Sequence, residues 1–235
     1  MRRRPGFTLI ELLIILGMVA LLITFLLPAA SRARSQSRCV TCMSNLRQLS
    51  TAYFAYCDSN EGRLYPCDTD VTQVSLPGAG QAADIPAITA YAGDKRLFHC
   101  VEDARDGCRS YSINDYMGGS FPFLGLKHVN ELRNVKNSAT TFLYIEETPP
   151  ATLNGFTGGF VVLPYPRDRW ADYPAVPHPR GTCLSFVDGH CEFWQWSDIR
   201  TTNLSQSKTK FPQTTGNPDL VRLQAAYGQG GVPAQ

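Results

Sequence analysis

Charge is scarce in this chain, and neither sign is in excess. Of 235 residues, 22 are Lys or Arg and 20 are Asp or Glu, a formal net charge of +2. Apart from Arg2–Arg4 and the segment Arg32–Arg38, the basic residues are scattered. A basic face able to track a phosphate backbone is therefore missing, which argues against a nucleic-acid partner. Signatures of chemistry are missing as well. Ser185 falls mid-strand with nothing like a nucleophile elbow around it, and no second C-x-x-C follows Cys39-Val-Thr-Cys42. His99, His128 and His190 lack ligand spacing. A catalytic pairing of His178 with Asp188, using Ser185 or Cys183 as nucleophile, would need a base within reach and a pocket for developing charge. Asp188 is already accounted for by a turn, so no enzyme is expected. No acidic stretch has EF-hand spacing, which leaves Asp168, Asp172, Asp188 and Asp198 as weak calcium candidates and solvated carboxylates as the simpler reading. No cofactor is expected.

The chain does have one long apolar run. From Phe7 to Leu27 it carries a single charge, Glu11, and one interior glycine. At ~1.5 Å per residue this is helix enough to cross ~30 Å of hydrocarbon. Arg2–Arg4 precede it, so the positive-inside rule keeps the N-terminus cytoplasmic and exports the remainder of the chain. A carboxylate at membrane depth costs roughly 2.5 kcal/mol or more and is rare without a partner or a job. An ordinary signal cut near Ala29-Ala30-Ser31, or a plain signal anchor, leaves Glu11 unexplained.

Beyond Leu27, Pro28 should kink or loosen the helix, because it lacks an N–H and its ring clashes with the preceding turn. Met43, Leu46, Leu49, Tyr53 and Tyr56 then recur at spacings of three and four, the pattern of a helix covering a core. Asn60 and Gly62 stop it. One continuous helix from Phe7 to about Asp58 is expected.

Eight cysteines lie beyond the apolar run: Cys39, Cys42, Cys57, Cys67, Cys100, Cys108, Cys183 and Cys191. In an oxidising compartment an even count reads as a disulfide framework whose connectivity stays open. Cys39-x-x-Cys42 has redox or zinc spacing, but it lies on the expected helix. Cys39, Cys42 and Cys57 are expected to staple that helix to the folded part, with Cys67 or Cys100 as partners. Cys100 and Cys108 could close the loop between them.

Thr140–Glu147 is rich in β-branched and aromatic residues and reads as a strand; Leu97–Cys100, Tyr111–Tyr116 and Gly159–Leu163 read as shorter extended pieces. Residues 71–93 suggest a loop with a short helix, and Val129–Asn137 has turn or helical character. Around Asp188-Gly189 two β-rich runs predict a hairpin with a two-residue type I′ turn. That register pairs Val187 with His190, Phe186 with Cys191, Leu184 with Phe193 and Cys183 with Trp194. It sends Cys183 and Cys191 to opposite faces and lays Leu184, Phe186, Cys191 and Phe193 against the helix. His178 is expected to hydrogen-bond across this hairpin. Trp170, Tyr173, Trp194 and Trp196 could form a carbohydrate platform, though sheet packing is the simpler role.

Together these features resemble a known family. Arg2-Arg3-Arg4-Pro5-Gly6-Phe7-Thr8-Leu9-Ile10-Glu11-Leu12-Leu13 looks like the leader of type IV prepilins and type II secretion pseudopilins. His178, nine residues and Asp188-Gly189 resemble the H-x9-D-G ending of a subgroup of these proteins. Cys42–Leu49, Leu97–Cys100 and Tyr111–Asn114 are similar to that subgroup too, whereas Val101 departs from the proline often found there. The resemblance implies cleavage after Gly6 by a prepilin peptidase and methylation of Phe7. It further implies that Glu11 meets the liberated ammonium of a neighbouring subunit, and that Pro28 sits where pilin helices loosen.

The expected fold is α+β and pilin-like, with a long N-terminal helix against a small antiparallel sheet. Expected segments are a leader at 1–6, a transmembrane polymerisation helix at 7–27, its exported half at 28–58, a globular part at 59–200 and a flexible tail at 201–235. The expected function is that of a pilus or pseudopilus subunit. Its partners would be the peptidase and other pilin-like subunits, and its location the bacterial inner membrane, single-pass, with the folded part periplasmic or extracellular. The alternatives are an anchored ligand- or polysaccharide-binding protein that does not polymerise and, third, an anchored hydrolase.

Overall fold

A computed structural model describes residues 8–66, 86–103, 109–119, 127–148, 159–204, 209 and 211–228. Two compact units divide the chain, Met1–Arg38 and Cys39–Gln235. A single helix, α1 (Leu9–Ser59), contributes to both and runs through Pro28 without interruption. It ends where the sequence suggests: Gly62, at φ +81°, donates its N–H to Cys57 O at 2.8 Å, and Asn60 Nδ2 donates to Tyr56 O. A left-handed residue at this position is the common device for satisfying terminal carbonyls.

In the first unit, the residues from Leu9 to Leu27 are exposed on every side of the helix, Leu9 at 81% and Phe25 at 70%. This helix is long and apolar enough to cross a membrane, consistent with single-pass anchoring.

In the second unit, α1 buries Cys42, Leu46, Leu49, Ser50, Ala52, Tyr53 and Cys57. The seam is thus rotated slightly from the expected one: Met43 and Tyr56 are only partly buried beside it. The seam lies on an antiparallel sheet of β1 (Tyr111–Ile113), β2 (Phe142–Thr148), β4 (Gly181–Phe186) and β5 (Cys191–Gln195), in the order β1-β2-β4-β5. A two-residue strand β3 (Tyr173–Pro174) pairs with the end of β2. The expected α+β architecture, a long helix on a small antiparallel sheet, is what forms. Leu97–Phe98 belongs to a 3-10 turn (Lys95–Phe98) rather than an extended piece, because Asp94 caps it through Arg96 N–H. Short helical structure also occurs at α2 (Pro86–Ala92) and Leu132–Asn134. The expected strand over 159–163 is reduced to a single bridge, Phe160 to Asn114.

The hairpin register differs from the expected one by one residue. Cys183 pairs with Phe193 and Ser185 with Cys191, and Phe186 N–H donates to His190 O. The loop is therefore Val187-Asp188-Gly189, with Gly189 at φ +91° and its N–H on Phe186 O at 2.9 Å. Such a three-residue loop, a turn ending in a left-handed residue, competes with the two-residue form. Because directly paired residues share a face, Cys183, Ser185, Cys191 and Phe193 lie together, not on opposite faces. That face meets α1: Ser50 Oγ donates to Ser185 Oγ at 2.9 Å. Leu184, Phe186 and Trp194 take the other face, where Phe186 and Trp194 rings lie 6.0 Å apart.

The region expected to be a flexible tail from 201 is folded over much of its length. Asp198 caps α3 (Ile199–Asn203), and Asn217 caps α4 (Pro218–Ala226), with Pro218 in its first turn. Leu220, Leu223, Ala226 and Tyr227 are buried, and the Arg222 guanidinium sits 3.7 Å over the Trp194 ring. Apolar burial of this kind is worth roughly 1.5–3 kcal/mol per large side chain, enough to hold a short, Thr- and Gln-rich segment in place.

Candidate functional site

Two places among the described residues bear on function, one in each unit. In the first, Glu11 closes the start of α1. Its Oε2 accepts from Thr8 N–H at 2.8 Å and from Thr8 Oγ1 at 2.7 Å, while Glu11 N–H donates back to Thr8 Oγ1 at 3.3 Å. This is a capping box, in which two donors at the helix start are satisfied reciprocally. The spacing Thr8-x-x-Glu11 carries that signal in the sequence, inside the same stretch that resembles a prepilin leader. Gly6 and Phe7 lie outside the described residues.

The second place is buried. Glu146 on β2 and His178, just before β4, are both at 0% side-chain exposure, with His178 Nε2 3.1 Å from Glu146 Oε1. Glu146 Oε2 accepts from Cys183 N–H at 2.7 Å. Cys42 of α1 brings its Sγ to 2.8 Å from Cys100 Sγ, and Cys100 Sγ is 3.6 Å from His178 Nε2. One helical turn earlier, Cys39 Sγ lies 3.4 Å from Cys183 Sγ. The ligand atoms of Cys42, Cys100, Glu146 and His178 fall within 4.8 Å of one another, as do those of Cys39, His178 and Cys183. His178 Nδ1 is buried without a partner among the described residues.

Local structure explains each placement. Residues three apart on a helix share a face, so Cys39 and Cys42 both point at the sheet. Glu146 follows Tyr144 at period two on the face that α1 covers, where Tyr53 meets Tyr144 edge-on at 6.2 Å. Cys100 N–H donates to Ser110 Oγ, which holds the loop after the 3-10 turn against β1. The electrostatics are those of a crowded, dry site. Burial pushes Glu146 up, against the pull of His178 and the Cys183 N–H. Burial works against a charged His178, but hydrogen bonding to Cys42 and Glu146 outweighs it and raises the imidazole to about 10. The Cys42–Cys100 contact holds Cys42 below the ordinary thiol range, and the same contact, with burial, pushes Cys100 up.

Sulfur, imidazole and carboxylate at these separations can share protons, form disulfides or bind a soft metal ion. Expected staple partners are met in part: Cys42 does face Cys100 and Cys39 faces Cys183, but neither pair is bonded, and the six described cysteines are free thiols. Cys57 is buried, which pushes its thiol to about 11. Cys67 and Cys108 lie outside the described residues.

His178 and Asp188 of the H-x9-D-G pattern engage different partners. His178 bonds Glu146 on β2 instead of reaching across the hairpin, and Asp188 pairs with His190, whose ring stacks on Phe186 at 4.3 Å. Of the other calcium candidates, Asp168 accepts from Thr215 and Gln213, Asp172 from Val161 N–H, and Asp198 caps α3. They form no common cluster among the described residues. Ser185 Oγ is taken by Ser50, and Trp170, Tyr173, Trp194 and Trp196 are all buried, leaving no exposed aromatic platform from those four. Glu146 was not anticipated from the sequence; its one cue is an acid inside an apolar strand. No family model, curated protein or solved structure matches this chain.

Proposed function

We propose that this chain is a prepilin-like structural subunit, cut after Gly6 by a prepilin peptidase, methylated on Phe7, and assembled into a type IV pilus or type II secretion pseudopilus. The observation that carries this reading is the Gly6-Phe7 junction followed by an apolar helix that is exposed all round and holds one carboxylate. An apolar surface on every side suits lipid before assembly and neighbouring helices after it. The second unit would then face the periplasm or the exterior, since Arg2–Arg4 keep the N-terminus inside.

Glu11 has two tasks on this reading. Both capping bonds from Thr8 side chain and backbone fall on Oε2, so Oε1 remains to meet the Phe7 ammonium of an adjacent subunit. Two groups that are costly alone in lipid become a compensated pair that sets the axial register. Glu11→Gln separates the tasks, because glutamine keeps the capping geometry and loses the charge. Filament incorporation should fail in Glu11→Gln and in Glu11→Val alike, with membrane insertion intact. Mass spectrometry of the mature protein should find an N-terminal methylated Phe7. An N-terminus near Ser31 would defeat the reading in favour of ordinary secretion. Normal incorporation of both variants would overturn the role of Glu11 in register, and an anchored chain that never enters a filament would favour an anchored binding protein.

A further inference from the structure

We propose that Cys42, Cys100, His178 and Glu146 form a site for one divalent transition-metal ion, zinc by ligand chemistry. Two thiolates, an imidazole and a carboxylate are the donor types that four-coordinate zinc takes. They come from four separate places in the chain, α1, the loop after the 3-10 turn, β2 and the approach to β4, and converge within 4.8 Å at 0–2% exposure.

Charge favours a cation here. Glu146 is fully buried beside two thiols, and its one basic neighbour in the cluster, His178, supplies a single positive charge at most. A divalent ion that displaces the thiol protons would offset the two thiolates and the buried carboxylate at the point where the ligand atoms meet. The sulfur separation is compatible with this. At 2.8 Å, Cys42 and Cys100 are further apart than a disulfide's ~2.05 Å. Zinc–sulfur bonds of ~2.3 Å in a tetrahedron place two sulfurs roughly 3.8 Å apart, an outward adjustment of about 1 Å. A disulfide would use Cys42 and Cys100 alone and give His178 and Glu146 no reason to adjoin them. Cys39 and Cys183 approach the same imidazole from the adjoining turn but lie outside the set of four.

The test is metal analysis of the full-length protein purified in detergent, with zinc and cobalt as probes. The expected result is about one zinc per chain retained through gel filtration. Cobalt exchange should give the visible bands of tetrahedral thiolate cobalt, and zinc should protect Cys42 and Cys100 from iodoacetamide. Cys42→Ser with Cys100→Ser should abolish uptake, and Glu146→Gln should weaken it by roughly 10–100-fold. Should the double variant not fold, the cobalt spectrum and thiol protection of the unaltered chain still decide. A protein that takes up neither probe and yields a Cys42–Cys100 cross-linked peptide overturns the proposal in favour of a disulfide. Cobalt bands without thiolate character, or uptake unchanged in a folded double variant, overturn it equally.

Discussion

The two stretches of α1 carry different residue patterns and behave differently. Between Leu9 and Leu27 the apolar side chains are exposed around the whole helix; between Cys42 and Cys57 they form a stripe with polar residues opposite, and only the stripe is buried. Each stretch also has an acid close to its apolar surface. Glu11 is handled locally, by the first turn of its own helix, whereas Glu146 opposite the second stretch is handled by groups drawn from distant parts of the chain. A uniform apolar surface asks for an environment, while a stripe asks for a partner in the same chain.

The sharpest break of this contrast is Glu146→Ala. It leaves His178 and the Cys183 N–H without their acceptor and should cost about 3–5 kcal/mol in denaturant unfolding. Next is Leu46→Ala, at 0% exposure, expected to cost about 2–5 kcal/mol, set against Leu16→Ala, at 59% exposure, which should leave unfolding of the second unit unchanged. Equal effects would erase the distinction between the two stretches. Gly189→Ala is smaller: the added methyl finds room, with Phe54 3.9 Å away, so the cost is that of a left-handed backbone, about 1–3 kcal/mol. Ser50→Ala breaks one buried bond between α1 and β4 and should cost about 1 kcal/mol.

One effect depends on pH. Burial pushes Asp172 up to about 7, with the charge of Asp115 adding to it and Val161 N–H opposing. An acid raised on folding binds its proton more tightly in the folded state. Its contribution is therefore complete below its unfolded value near 4 and is lost as pH rises through about 7. Stability measured from pH 4 to pH 7 should decline with a component that Asp172→Asn removes; an unchanged slope in that variant would refute the assignment.

Much of the fold was legible in the residues. The long helix, its stop at Asn60 and Gly62, the strand over 142–148 and the hairpin at Asp188-Gly189 all follow from local patterns. The hairpin register did not, because Asp-Gly suits both loop lengths and the choice rests on how β4 packs against α1. The folded C-terminal segment was overlooked, though Asn217-Pro218 and the spacing of Leu220, Leu223 and Tyr227 announce a capped amphipathic helix. Its low apolar content argued the other way, and burial of Leu220, Leu223, Ala226 and Tyr227 prevailed. The buried cluster was the least legible part. Cys42, Cys100, Glu146 and His178 are distant in sequence, and only the topology brings them together.

The loop Val187-Asp188-Gly189 acts as a parity setting for the last strand. A one-residue slip of the pairing there would turn β5 over. Trp194 would then leave Phe186 and Arg222, and Phe193 would lift off Gly181, where its ring lies so close that an added Cβ would come within 2.2 Å of it.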